Sequence, residues 1–176
     1  MDYVQTTFTD APGPLYPGQI VDSGTSSLNE EVRSYRTETL IYPGRGVVKG
    51  TANAQNDQIL TPYGVKHPLA GSVLADIVGV AVRLSNSSAD ANGVATSNRT
   101  TQMWPIAELG SKAHIAAEVP TGITIADGDA VYMSVSHASI PVGQFSNAAA
   151  AGMIGPIVGA KWVGAAAATT IGRIEL

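Results

Sequence analysis

Gly128-Asp129-Ala130-Val131-Tyr132-Met133, Val142-Gly143-Gln144-Phe145, Gly159-Ala160-Lys161-Trp162-Val163 and Ile171-Gly172-Arg173-Ile174-Glu175-Leu176 follow one another through the last third of the chain. Each is a short run with β-branched or aromatic residues and a glycine in or before it, the composition of strands joined by tight turns. None is long enough for a stable amphipathic helix. The Ala-rich stretches between them, 148–151 and 165–168, have high helix propensity taken alone. Each is short and flanked by glycine, so they are expected to be turns or loops. The cadence predicts an all-β module whose product is contact surface.

The same cadence extends towards the N-terminus. Residues 130–133 follow Ala126-Asp127-Gly128-Asp129, and two further strands, at 103–109 and 113–119, lie around Gly110-Ser111. Strands at such spacing, with turn residues between them, mark a sandwich or barrel. Ile77-Val78-Gly79-Val80-Ala81-Val82-Arg83-Leu84 is apolar on both faces and rich in β-branched residues, so it is expected to run through the core. Leu40-Ile41-Tyr42 and Gly46-Val47-Val48-Lys49 flank Pro43-Gly44, which suits the two central positions of a type II turn. Residues 28–38 fit either a helical turn or an exposed strand. Residues 50–58 read as a polar loop, and 85–101, almost wholly Ser, Asn, Ala, Thr, Asp and Gly, as a long exposed one. Its two Asn-x-Ser/Thr sequons, at Asn86 and Asn98, stand in a chain without a secretory signal and are read as incidental.

Residues 1–27 read as an extended arm, because Pro12, Pro14 and Pro17 each remove a backbone donor. The arm also carries Tyr3, Phe8, Leu15 and Tyr16, side chains that favour docking on the rest of the chain or on a partner. The expected organisation is thus the arm, 1–27, followed by one β domain, 28–176.

Composition narrows the function. Charged residues make up 14% of the 176, against roughly 25% in an average soluble domain. A small, neutral surface suits packing against other protein, since its burial strips few ionic hydration shells. The net charge is −4 with no run of like charge, which argues against a nucleic-acid partner. Cysteine is absent, so disulfides and thiolate metal sites are excluded. The opening Met1-Asp2-Tyr3-Val4-Gln5 lacks the basic start and apolar run of a signal peptide, and no stretch of about 18 apolar residues follows. The expectation is a soluble chain made in a cytoplasm, with no membrane partner.

No catalytic arrangement emerges. The three histidines, His67, His114 and His137, have no ligand spacing around them. His114 and Glu118 share a strand face about 13 Å apart, too far for one metal. All three read as hydrogen-bonded surface or core groups. Asp127-Gly128-Asp129 is the densest carboxylate motif and reads as a turn, since a calcium site takes six to eight oxygens. No Gly-x-Ser-x-Gly elbow or phosphate loop is present. The chain is therefore expected to be no enzyme and to need no cofactor or metal. Trp104, Tyr132, Phe145 and Trp162 lie in or beside strands, where packing explains them; among these Trp104 and Trp162 are the candidate interface anchors, with Tyr3, Phe8, Leu15 and Tyr16 of the arm.

In this order the chain resembles the structural cement proteins, the capsid cement or head decoration proteins of tailed bacteriophages. The matching elements are Pro17-Gly18-Gln19-Ile20-Val21-Asp22-Ser23-Gly24, Ile41-Tyr42-Pro43-Gly44-Arg45-Gly46-Val47-Val48 and Val78-Gly79-Val80-Ala81-Val82-Arg83. They continue through Val131-Tyr132, Gly143-Gln144-Phe145, Gly159-Ala160-Lys161-Trp162 and residues 171–176. The resemblance implies a small β-barrel or jelly-roll-like sandwich that decorates the outer surface of a phage capsid. It implies a homo-oligomer, dimer or trimer, fastening neighbouring major capsid protein subunits in the virion after synthesis in the host bacterial cytoplasm. The alternative reading is a carbohydrate- or receptor-binding β module of a phage tail or surface adhesin; its support is the exposed aromatics and the Asn/Ser/Thr-rich loop at 85–101, which has no aromatic platform of its own.

Overall fold

The computed structural model describes residues 15–22, 32–52, 61–83 and 103–176. Through these the chain forms β1 (Ile20–Asp22), β2 (Val32–Arg36), β3 (Gly46–Ala52), β4 (Tyr63–Lys66), β5 (Ile77–Ala81) and β6 (Met103–Glu108). It continues with β7 (His114–Glu118), β8 (Tyr132–Ser134), β9 (Phe145–Ser146), β10 (Met153–Ile154), β11 (Lys161–Val163) and β12 (Ile171–Glu175). One 3-10 turn, Leu74–Asp76, precedes β5. The strands make three antiparallel sheets, ordered β1-β7-β12-β11, β10-β8-β9 and β2-β6-β5-β3-β4. The fold is all-β and sandwich-like, and among the described residues no barrel closes.

Two apolar clusters hold it. The larger joins Val48, Ile77, Val80 and Ala107 of the five-stranded sheet to Ile115, Ala117, Trp162 and Ile174 of the four-stranded one, with Met133 and Phe145 of the third. The smaller collects Tyr35, Ile41, Val47, Val65, Val78, Ala81, Trp104 and Ile106 on the five-stranded sheet. β5 serves both clusters, which is why its sequence is apolar throughout. A bulge allows this: Val47 faces Gly79 and Val48 faces Ile77, leaving Val78 as the extra residue that changes face. Beyond β2, Thr37 bridges Val65 and the Glu38 N–H donates to the Val65 carbonyl at 2.9 Å. The outer strands of this sheet thereby meet at one end and curl it around the smaller cluster.

The Pro17-Gly18 and Pro43-Gly44 turns are type II in outline and lie back to back. Gly18 and Gly44 adopt φ of 78° and 74°, and a Cβ on Gly44 would stand 2.8 Å from the Gly18 nitrogen. Each turn clamps a neighbouring strand in the same way. Gly18 donates to the Ala116 carbonyl and Gln19 accepts from Ala116, at 2.8 and 2.9 Å; Gly44 and Arg45 do the same to Ala81 at 2.8 and 2.9 Å. Gly143-Gln144 and Gly128-Asp129 repeat the clamp on Ser134 and Trp162. Only glycine takes these dihedrals without cost, so Gly-x at a strand entrance is the recurrent joint of the fold.

Several expectations shift. Residues 28–38 contribute strand β2, not a helical turn, over the part described. Leu40-Ile41-Tyr42 is extended but joins no ladder, because it spans from the Thr37 bridge to the turn at 43–44. β4 and β10 had no distinct sequence signature. Residues 16–22, counted with the arm in the sequence reading, make the Pro17-Gly18 turn and β1, which pairs with β7. Residues 50–52 extend β3 and are not loop; 53–60 and the expected loop at 85–101 lie outside the described residues. The Ala-rich stretches at 148–151 and 165–168 form turns and irregular backbone.

Candidate interaction surface

The carboxylates of the Asp-Gly-Asp motif are occupied by the turn and by two neighbouring segments. The Asp129 carboxylate accepts from the Ala126 N–H at 2.8 Å and the Asn147 amide at 2.7 Å, and these bonds hold it below the usual carboxylate range. Asp127 accepts from the Gly164 N–H at 2.7 Å. Among the described residues no three histidine, aspartate or glutamate side chains gather as a metal site, and no helix is long and apolar enough to cross a membrane.

The histidines divide. His137 Nδ1 accepts from the Ser139 and Ile140 N–H groups, both at 3.1 Å, and caps a turn. His114 meets Glu175, its cross-strand partner, at 3.4 Å, and Glu175 also meets Lys161 at 3.2 Å. The Lys161 ammonium is the main reason that the Glu175 carboxyl sits below its ordinary range. His67 departs from the expectation of a satisfied histidine. Its backbone N–H donates to Thr39 Oγ1 at 2.8 Å, yet both ring nitrogens are buried without a hydrogen-bond partner among the described residues. Burial, with the Arg45 charge second, pushes its pKa down to about 4, so the ring is neutral at pH 7.

His67 lines a cleft of about 510 Å³ together with Tyr42, Arg45, Pro68, Leu69, Pro141 and Val142. Its position follows from the turns. Gly44 delivers Arg45 at the head of β3, and the Gly143 carbonyl accepts from Gly46 at 2.7 Å, which lays the 141–143 turn over Arg45 and His67. A Cβ on Gly143 would lie 3.2 Å from Arg45 Cβ and 3.5 Å from His67 Nδ1. The Tyr42 ring tilts against the His67 ring with centroids 5.5 Å apart. Arg45 is mostly buried, which lowers its pKa, with Glu118 opposing the shift; Nη2 stands 3.6 Å from Glu118 Oε2, beyond a hydrogen bond, and Nη1 is buried without a partner. At the lip Leu69 is 60% exposed and Val142 36%, and Val73 and Leu74 continue the exposed apolar side chains from Leu69 along the chain.

The anchors named from sequence fall elsewhere. Tyr3 and Phe8 lie outside the described residues. Leu15 is half-buried. Tyr16 is exposed, with the Arg83 guanidinium 4.8 Å from its ring centroid. Trp104 and Trp162 are buried within the two clusters, their indole N–H groups donating to the Val82 carbonyl at 2.9 Å and the Ser146 carbonyl at 3.4 Å. Neither indole offers a face to solvent. Arg45, Leu69 and Val142 were not named as site residues from sequence, and His67 was read as a hydrogen-bonded surface or core group; the one local sign was an arginine directly after a glycine that needs positive φ.

The family described as structural cement protein (E217 gp24/Pam3 gp6) matches residues 4–176. Among solved structures, a chain of "The capsid of Myoviridae Phage XM1" is similar to 99% of this chain and 97% of its own length, with a TM-score of 0.65 and 13% identity. At that identity the likeness is one of fold. No curated protein matches in sequence.

Proposed function

Because this chain belongs to the phage structural cement protein family, we propose that it decorates the outside of an assembled bacteriophage capsid and fastens neighbouring major capsid protein subunits. The observation that carries this is the family match across nearly the whole chain. The low charge accords with it, since protein–protein burial then strips few ionic hydration shells. The physics of fastening is multivalency: a homo-oligomer, dimer or trimer, that touches two or three capsid subunits makes its later contacts at high effective concentration. A shell under internal pressure then has to break several contacts together.

Within this reading the exposed apolar lip at Leu69, Val73, Leu74 and Val142 and the exposed Tyr16 face the lattice. Tyr3 and Phe8 act from the N-terminal arm, within which residues 16–22 carry the Pro17-Gly18 turn and β1. Calorimetry of expanded heads assembled without this chain tests the function. Adding the purified protein is expected to raise the rupture temperature in proportion to occupancy; full occupancy with an unchanged rupture temperature would leave a decoration protein that cements nothing.

A further inference from the structure

The cleft lined by Arg45 and His67 is the one place among the described residues where buried polar groups gather without partners beside a cavity. Arg45 Nη1, His67 Nδ1 and His67 Nε2 are all shielded from water and unbonded. A buried guanidinium left with an unmade hydrogen bond costs more than a neutral donor in the same place. Glu118, half exposed and 3.6 Å away, offsets this only in part. Arg45 carries only donors, and the neutral imidazole supplies one donor and one acceptor. The wall therefore asks for an acceptor of negative charge, approached from the cleft.

We propose that this cleft is the socket for one carboxylate side chain, Asp or Glu, of the capsid protein that this chain decorates. On binding, the Arg45 and His67 side chains turn towards the entering group, so that one carboxylate oxygen accepts from Arg45 Nη1 and the other from the His67 ring N–H, while the residues flanking it in the partner pack on Pro68, Leu69, Pro141 and Val142. The apolar lip keeps water out of the contact, where a charged hydrogen bond is strengthened. The cleft, at about 510 Å³, has room for the side chain and its neighbours. The exposed Leu69, Val73 and Leu74 extend apolar surface beyond it, which a protein covers and a small carboxylic acid does not. A phosphate backbone fits poorly, with a single arginine in an apolar wall and a net charge of −4.

This inference rests on the capsid-binding reading, and one experiment separates the two. Expanded heads assembled without this chain are mixed with wild type, Arg45→Met, Arg45→Lys or Val142→Trp, and binding is measured by co-sedimentation beside a circular-dichroism melt of each protein. Arg45→Met keeps an unbranched apolar stem, shorter than arginine, and removes the charge and the donors; Val142→Trp fills the mouth from an exposed position. Both are expected to weaken binding by at least about tenfold, with Arg45→Lys between them and wild type. If Arg45→Met melts early, Val142→Trp decides alone. Wild type that sediments while both variants bind within twofold of it overturns the socket and leaves capsid binding standing. Wild type that does not sediment overturns the capsid reading and the occupant named here with it.

Discussion

Gly44→Ala tests whether the paired Pro-Gly turns act as one joint. Two penalties add in this variant. A non-glycine residue at φ of 74° costs about 1–2 kcal/mol. The new Cβ would also lie 2.8 Å from the Gly18 nitrogen and 2.8 Å from Pro17 Cβ, and forcing the turns apart costs about 1–3 kcal/mol by analogy with an overpacked core. The sum, about 2–5 kcal/mol, lowers the melting temperature by roughly 4–20 °C at about 2–4 °C per kcal/mol for a domain of this size. Gly122→Ala is the control: its φ is 77° but no atom lies within 4 Å of the added Cβ, so only the first penalty applies. Thermal melts of the two variants and wild type read the difference. If Gly44→Ala and Gly122→Ala fell by the same amount, the back-to-back packing would contribute nothing and the joint would be an accident of proximity.

Three further outcomes follow from particular side chains. His67 is held neutral, with its pKa down from 6.5 to about 4; the unfolded chain binds the extra proton between those values, so stability is greatest above pH 6.5 and declines as pH falls towards 4. Urea midpoints at pH 7.5 and 5 are expected to differ less in His67→Gln than in wild type, and an equal drop in both would remove His67 as the cause. Trp162→Ala, at a residue with no exposed surface, is expected to lose about 3–5 kcal/mol by denaturant unfolding; the milder Trp162→Phe, where folded, is expected to decorate heads as wild type does, and lost decoration at unchanged stability would move the indole to the interface. Glu175→Gln removes the contacts to Lys161 and His114 on a part-exposed sheet face, so its cost is expected to stay under about 1 kcal/mol and to shrink with added salt; a larger, salt-insensitive loss would show a buried network.

How far the sequence reveals the fold depends on whether the signal is local. Ile77–Ala81 is legible because both faces are buried, and the turn at Pro43-Gly44 because its dihedrals are written in two adjacent residues. β4 is not legible: in Tyr63-Gly64-Val65-Lys66 the glycine lies beneath Glu38, whose carboxylate leaves a Cβ there only 2.9 Å of room, and that contact crosses the sequence. Trp104 and Trp162 look equally like core and anchor until pairing places them inside. The cleft is the least legible feature, since Arg45, His67 and Val142 sit on three separate segments and meet only through the β3–β4 pairing and the Gly46–Gly143 hydrogen bond. Tyr16-Pro17-Gly18 and Tyr42-Pro43-Gly44 are a repeated tripeptide whose significance, two turns facing each other, likewise appears only in three dimensions.

Electron cryomicroscopy of expanded heads incubated with the purified chain tests the central claim most directly. Ordered density is expected on the outer surface, with each oligomer touching at least two neighbouring major capsid protein subunits. Bare heads, or copies that each rest on a single capsid subunit, would contradict it.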